Sequence, residues 1–400
     1  MKLSAVTENF TNFKYKERLK NILLNGINAG ITPIFSLLIS LVVVRNYGPL
    51  LWGDFVQILL WLNIGAHLAA FGSKEFLLRK FSYDPSESST LFKSSIEARL
   101  PLVIAIVLGF IALPYFGLIR SSWMFLWLFF RFIYQSYDVI IIWRKKFELS
   151  ILVEASIGLV LLIVLKFWQG NISSLNLIQC FALAEIAKAL FMIALNYQEY
   201  LPSFKIVFDI TQLKESSLFF LIGFAGLLHS RVDQLLATHF LSSSSLAFYQ
   251  ILMSMLLLCQ SIAHFILQPF VKNLYRLSEE SINKIALQLL LIGGLLSPIL
   301  VVTTGFILNY FYHFEITGQI IISGFIFIVP FFYSLAYIYS LYKMKVEKQV
   351  LWVNFAVIIL NIVVLPFVFP MYGINGAIIF AASLQVIQAI VFRVLAKRAF

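Results

Sequence analysis

The chain has 400 residues, of which 60% are hydrophobic and only 12% are charged. With a mean hydropathy of +0.90, it is too apolar to pack around one soluble core, and the composition is typical of a polytopic membrane protein. The net charge of +11 does not indicate a nucleic-acid partner. The basic residues are spread over gaps between apolar stretches, where they favour an anionic inner leaflet.

Twelve apolar stretches are each long enough to cross a hydrocarbon core of about 30 Å, which needs roughly 20 helical residues. Several of them end at a tryptophan, as interfacial aromatic residues do. We therefore predict an all-α polytopic membrane protein with about twelve transmembrane helices. The predicted spans are 21–44, 54–73, 97–117, 123–143, 150–168, 175–197, 216–239, 246–269, 285–311, 318–342, 350–369 and 376–395.

Basic residues crowd into every second gap between these stretches. Because short loops rich in Lys and Arg stay cytoplasmic, this pattern predicts an even number of spans with the N- and C-termini inside. Three basic residues depart from the pattern and lie within apolar stretches: Arg131, Lys188 and Arg231. The inner gaps hold Lys2, Lys14, Lys16, Arg18 and Lys20, then Lys74, Arg79, Lys80, Lys93 and Arg99, then Arg144, Lys145, Lys146, Lys205, Lys214, Lys272, Arg276, Lys284, Lys343, Lys345, Lys348, Arg393, Lys397 and Arg398.

The inward gap 198–215 divides the spans six and six. We predict a cytoplasmic N-terminal segment over 1–20, a first lobe over 21–197, an inter-lobe linker over 198–215, a second lobe over 216–395 and a cytoplasmic tail over 396–400. The tripeptide Gln-Ile-Leu follows both the first and the seventh span. Six spans per half give both halves the same orientation, so we interpret the chain as an internal duplication about an axis along the membrane normal.

The inward gap that starts at Ser73 and runs to Lys93 mixes bulky apolar residues with Lys74, Arg79 and Lys80. A basic amphipathic segment along the inner interface and a solvated loop both fit this composition. The outward gaps are short, and none has room for a folded domain. The short outward gaps therefore argue against an integral-membrane glycan polymerase, which would be expected to have a sizeable loop.

Ionisable residues inside the spans are the candidates for chemistry, because a charge at the middle of a helix costs about 2.5–3.5 kcal/mol on insertion scales. In span four, Arg131 and Asp138 share a helical face with Gln135. In span six, Glu185 and Lys188 are three residues apart, near enough to pair. Both sets fit either an interhelical packing contact or a functional site, and packing is favoured for Glu185 with Lys188.

Span seven carries His229, Arg231 and Asp233. His229 and Asp233 share a face, whereas Arg231, two residues from each, does not. An imidazole beside a carboxylate changes protonation near physiological pH, which favours a functional role for this pair. Glu154 in span five and His264 in span eight both lie near inner span ends, and we expect both to reach the interface.

The sequence has no His-Glu-x-x-His motif, no phosphate-binding loop and no cysteine pair with metal-ligand spacing. We therefore expect no enzyme activity, no catalytic residues, no metal and no bound cofactor.

Four segments carry a family pattern: Arg45–Leu59 (RNYGPLLWGDFVQIL), Phe71–Lys80, Arg231–Ile251 and Leu360–Ile378. Together they resemble the polysaccharide flippases of the O-antigen type, within the multidrug/oligosaccharidyl-lipid/polysaccharide exporter superfamily. The four serines 242–245 depart from the pattern, because many relatives have a Gly-containing turn there. Multidrug exporters of this superfamily often carry a carboxylate in the first helix, and span one has none.

The resemblance implies two six-helix lobes around a central cavity, alternating access, and an undecaprenyl-pyrophosphate-linked oligosaccharide as substrate in the bacterial cytoplasmic (inner) membrane. It makes Arg131, Lys188 and Arg231 candidates to bind the pyrophosphate or acidic sugars. It also implies partners beyond membrane lipids, namely a polysaccharide polymerase and chain-length machinery. The alternative is a cation-coupled multidrug antiporter of the same superfamily. Candidates for coupling to H⁺ or Na⁺ are Asp138, Glu185, His229 and Asp233.

Overall fold

The computed structural model describes residues 2–112, 117–207, 209–267, 274, 278–344 and 346–399, and these residues form helices and short connections without a β-strand. The helices are α1 (Lys2–Tyr47), α2 (Pro49–Ala70), α3 (Ser73–Tyr83), α4 (Ser88–Ala112), α5 (Leu118–Ser136), α6 (Asp138–Arg144), α7 (Phe147–Lys166), α8 (Ser174–Asn196), α9 (Ile210–Phe240), α10 (Ser243–Leu267), α11 (Glu279–Tyr310), α12 (Gly318–Lys343) and α13 (Glu347–Ala399). Of the predicted inner-gap residues, Lys272, Arg276 and Lys345 lie outside the described residues, as do the side chains of Lys2, Lys14, Lys16 and Arg18.

The last helix, α13, is two helices joined end to end. At Gly373 the backbone has φ 58° and ψ −145°, a combination that residues with a side chain rarely adopt. Pro366 and Pro370 precede it and lack backbone donors. Within the described residues, eleven helical segments are long and apolar enough to cross a membrane, and the last contains this break. With its limbs 347–372 and 374–399 counted separately, the segments long enough to cross number twelve, as predicted. We call inner the side on which the predicted topology places both termini.

Two short interruptions break long helical stretches. The first lies at the end of the predicted span 54–73, whereas the second lies inside the predicted span 123–143, where the hydropathy pattern predicts a continuous helix. Phe71 and Gly72, both at positive φ, separate α2 from α3, and Tyr137 separates α5 from α6. The segment from Ser73 to Lys93, for which the sequence left a helix and a loop open, therefore begins with the helix α3. Phe76 and Phe81 of α3 are buried, because α3 packs against α6, α9 and α4.

Two boundaries differ from the prediction. The helix α1 begins at Lys2, so that residues 2–20 of the predicted N-terminal segment continue the first helix. The predicted outward gap 45–53 is reduced to Gly48, because α1 extends to Tyr47 and α2 begins at Pro49. Proline is favoured at a first helical position, where no backbone donor is needed.

The crossings pack as two lobes. In the first lobe α1 lies against α7 and α5 against α8, and in the second α12 lies against α11 and α13 while α9 lies against α13. The lobes meet mainly through α2 and α10, with α1 beside α10 and α2 beside α9. The site therefore lies between these interface helices and the helices behind them.

Candidate functional site: a central cavity lined by buried charges

The lobes touch at the outer ends of their interface helices. Gly53 on α2 lies so close to α10 that a Cβ there would come within 1.7 Å of the Ser243 carbonyl oxygen. The Ser243 hydroxyl donates a hydrogen bond of 2.6 Å to Asp54. On α1, the Ser40 hydroxyl lies 2.8 Å from that of Tyr312, in the loop before α12. These contacts close the space between the lobes toward the outer side.

Inward of this contact lies a space of about 430 Å³, which we call the central cavity. Helices α1, α2, α5, α7 and α8 of the first lobe and α9 and α10 of the second line it. Arg131 on α5, Lys188 on α8 and Arg231 on α9 all face it. The structure thus brings together the three basic residues that depart from the loop pattern.

Lys188 is held between two carboxylates. Its Nζ lies 2.9 Å from Glu154 on α7 and 3.3 Å from Glu185 on its own helix. Both glutamate side chains are only 9% exposed. The predicted pairing of Glu185 with Lys188 is therefore present. The expectation for Glu154 is wrong, because α7 packs against α8 and places this carboxylate on the ammonium group instead of at the interface.

The two guanidinium groups of the central cavity have no such carboxylate partners. Among the described residues, no carboxylate oxygen lies within 4.0 Å of Arg131 or Arg231. Arg231 donates a 3.0 Å hydrogen bond to the neutral amide of Gln234. The three cations lining the cavity thus face two carboxylates, and both of those carboxylates are engaged by Lys188.

A smaller space of about 290 Å³, which we call the inner pocket, adjoins the central cavity and shares Arg131 with it. Asp138 and Gln135 line this pocket together with Lys74. The predicted shared face of Arg131, Gln135 and Asp138 is therefore present, although the helix is interrupted at Tyr137. No ion pair joins Arg131 to Asp138 among the described residues.

A third space of about 460 Å³, the second-lobe cavity, lies among α9, α10, α12 and α13. His229 and Asp233 both line it, as their spacing predicts. No hydrogen bond joins them within the described part of the chain. Instead the Tyr249 hydroxyl donates a 2.7 Å hydrogen bond to Asp233 Oδ2. Asp233 Oδ1 and His229 Nδ1 are buried without a hydrogen-bond partner among the described residues.

Neutral amides line much of the rest of the second-lobe cavity. They come from both limbs of α13 and from α10: Asn354, Asn361, Gln385, Gln388 and Gln260. Gln260 Nε2 and Asn361 Nδ2 donate to backbone carbonyls, and their amide oxygens accept no hydrogen bond from a described residue. Phenylalanine and tyrosine rings of α12 and α13 complete the lining. The arrangement offers neutral donors, neutral acceptors and aromatic faces.

No protein-family model matches the sequence, and no curated protein matches it. Solved structures do. An inward-facing multidrug resistance MATE family transporter of the MOP superfamily aligns with a TM-score of 0.64 at 12% identity over 94% of this chain and 97% of that chain. A MATE protein in the bent conformation aligns with 0.56 at 11% over 96% and 95%, and an outward-facing MATE transporter with 0.52 at 12% over 95% and 94%. This chain has the MATE fold.

In this MATE fold, Arg99 departs from its predicted place. The pattern of basic residues predicts that it lies in an inner gap, but it is 3% exposed within α4. Its guanidinium donates to the carbonyl of Ala70, at the end of α2, and to the Ser136 hydroxyl. It also lies 4.9 Å from the centre of the Phe132 ring. Arg99 therefore joins α2, α4 and α5, and a count of loop charges has no means of detecting this.

His264 also departs from its expected interfacial place, because it lines the second-lobe cavity with its ring 5.3 Å from that of Phe331. Among the described residues of the MATE fold, no cluster of three or more His, Cys, Asp or Glu side chains is arranged to hold a metal ion.

Proposed function

We propose that this protein is an alternating-access transporter of the bacterial inner membrane that flips an undecaprenyl-pyrophosphate-linked oligosaccharide. The observation that carries the proposal is the pair of guanidinium groups, Arg131 and Arg231, that face the central cavity without a carboxylate partner. A transporter of this kind holds the polar head in a cavity between two lobes while the polyprenyl tail stays in lipid. No covalent chemistry is required.

The charge of the central cavity supports an anionic head group. Guanidinium groups bind phosphate oxygens with two parallel hydrogen bonds, and such charge-assisted contacts are roughly twice as strong as neutral ones. Arg131 belongs to the first lobe and Arg231 to the second. A pyrophosphate between them would contact both lobes at once, and its departure would leave two cations that repel each other. That arrangement makes substrate binding favour closure of the lobes.

The lining of the second-lobe cavity supports a sugar chain. Gln385 and Gln388, on one face of α13, and Asn354 on its other limb make no hydrogen bond with any described residue. Amide groups of this kind both donate to and accept from sugar hydroxyls. Aromatic rings beside them pack against the apolar faces of sugar rings. We therefore place the oligosaccharide in the second-lobe cavity, with a polymerase and chain-length machinery as partners that take up the flipped product.

Coupling to a cation is assigned to the second lobe and the inner pocket. Asp233 keeps one carboxylate oxygen without a donor, and His229 lines the same cavity. Asp138 faces the inner pocket, and Glu185 shares Lys188 with Glu154. In this proposal H⁺ or Na⁺ binds at one of these carboxylates during the return of the empty carrier.

The direct test replaces each unpaired guanidinium separately. We expect Arg131→Gln and Arg231→Gln to abolish surface glycan in a strain that depends on this protein, while the variants remain inserted at wild-type levels. Arg120→Gln is the matched control, because Arg120 lies in the same helix as Arg131 but is exposed at its outer end. Normal glycan display by the Arg231 variant would refute the proposal. In the strains that carry the Arg131 and Arg231 variants, lipid-linked repeat units should accumulate on the inner face of the membrane. A polymerase defect would instead leave them on the outer face.

A second candidate is a cation-coupled multidrug antiporter. It is favoured by Asp233, because a buried carboxylate oxygen without a donor in a cavity with aromatic walls suits an organic cation. Two of the three aligned structures described above are also multidrug resistance transporters by name. A deletion strain that gains drug sensitivity, keeps its surface polysaccharide and is complemented by wild type but not by Asp233→Asn would establish this function instead.

A further inference from the structure

A groove of about 390 Å³ lies on the outside of the second lobe, among α11, α12 and the second limb of α13. Val386, Ile390 and Val394 of α13 line one wall, at spacings that keep them on one helical face. Val329 and Pro330 of α12 are on the opposite wall. This face of α13 is turned away from the second-lobe cavity, and Ile390 is 57% exposed. In a membrane the groove therefore opens to lipid.

Apart from Tyr333, whose hydroxyl accepts a hydrogen bond from that of Tyr337, the polar residues of the groove lie at its inner end, where Arg393 and Lys397 are one turn apart on the same face of α13. Both are exposed, and neither has an ion-pair partner among the described residues. From Val386 to Lys397 the helix rises roughly 16 Å at 1.5 Å per residue. That is about half of a hydrocarbon core of roughly 30 Å, so the groove matches the depth of a single leaflet.

We propose that this groove binds one anionic phospholipid of the inner leaflet. The acyl chains lie along the apolar wall formed by Val386, Ile390 and Val394, and the phosphate meets Arg393 and Lys397 at the membrane surface. Two features of the groove favour this occupant. Its apolar wall is about as long as one leaflet is deep, and its two cations lie together at one end of that wall, where a head group would lie if acyl chains followed the apolar residues. Basic pockets between transmembrane helices on this side of a membrane commonly hold anionic head groups. The proposal does not depend on the transported substrate.

The test uses the full-length chain in detergent, titrated with phosphatidylglycerol or with phosphatidylcholine of the same acyl chains, with bound lipids counted by native mass spectrometry. We expect one phosphatidylglycerol to remain bound to the wild type at concentrations that leave phosphatidylcholine unbound. In the double variant Arg393→Gln/Lys397→Gln this affinity should fall roughly thirty-fold, the factor for two cations near an anionic lipid surface. Ile390→Trp, which fills the groove without changing charge, should also displace the lipid.

The matched control is Arg398→Gln, because Arg398 is exposed in the same last turn but does not line the groove. It should bind phosphatidylglycerol as the wild type does. Equal binding of the neutral and anionic lipids by the wild type would overturn the proposal. So would an equal loss in the Arg398 variant, which would mean that general surface charge attracts the lipid. Unchanged binding in the double variant or in Ile390→Trp would overturn it as well.

Discussion

Replacing Lys188 with methionine tests the charge balance of the central cavity. The Lys188 ammonium lies 2.9 Å from Glu154 and 3.3 Å from Glu185, and all three side chains are at most 11% exposed. Removing one partner of a buried ion pair costs about 3–5 kcal/mol, because the other charge is left uncompensated. Here two carboxylates are left together, so we expect Lys188→Met to destabilise the protein by about 5 kcal/mol, the upper end of that range.

Glu154→Gln should behave differently. It leaves one carboxylate, Glu185, against one ammonium, and the glutamine oxygen still accepts from Lys188. We therefore expect a loss of about 1 kcal/mol, the net value of an ordinary hydrogen bond. The triple variant Lys188→Met/Glu154→Gln/Glu185→Gln carries no charge at this position. It should recover most of the stability that Lys188→Met loses, since replacing a whole buried ion pair is often close to neutral.

The measurement is thermal denaturation of the purified full-length variants in one detergent, followed by the loss of monodisperse protein. Lys166→Met is the control, because Lys166 is exposed at the end of α7. The expected order of stability is wild type and control first, then Glu154→Gln, then the triple variant, and Lys188→Met last. The reasoning is refuted if Lys188→Met has the same melting temperature as Glu154→Gln. It is also refuted if the triple variant has a melting temperature no higher than that of Lys188→Met.

Three further substitutions probe the fold. Gly53→Ala should separate α2 from α10, because its Cβ would lie 1.7 Å from a backbone oxygen. A cysteine placed in the central cavity should then react faster with an impermeant maleimide added from the outer side. The control Gly30→Ala, whose added Cβ meets open space, should leave the reaction rate unchanged. Arg99→Met should lower the stability of the protein by on the order of 2 kcal/mol, the value of hydrogen bonds from a charged donor. The control is Lys93→Met, because Lys93 is exposed on the same helix. Equal melting temperatures of the two variants would contradict this expectation. Gly373→Ala should lower the stability of the protein by about 1–3 kcal/mol through backbone strain alone, because no atom lies within 4 Å of the added Cβ. A melting temperature equal to that of the wild type would contradict this expectation.

The crossings of the membrane were predictable because hydropathy is a local property. Each stretch of roughly 20 apolar residues has to cross as a helix, whatever its neighbours are. The interruption at Tyr137 was not predictable, because it lies inside the predicted span 123–143 and no proline is there. The one at Phe71 lies at the predicted end of the span 54–73. At Phe71 the close approach of Gly72 to the backbone of Phe220, on α9, accompanies the break. The proposed internal duplication, which stands on short sequence matches, stays a prediction.

The apolar pattern alone identifies the charged residues that have to avoid lipid. Arg131, Lys188 and Arg231 lie within apolar stretches, and the free energy of exposing a charge to hydrocarbon turns such residues inward regardless of the fold. Which groups each of them contacts depends on how the helices pack. Lys188 pairs with Glu154 because α7 lies beside α8 at the right depth, and Arg99 is buried because α2 ends next to it. The membrane penalty acts on one residue at a time, whereas a partner depends on the rotation and depth of neighbouring helices.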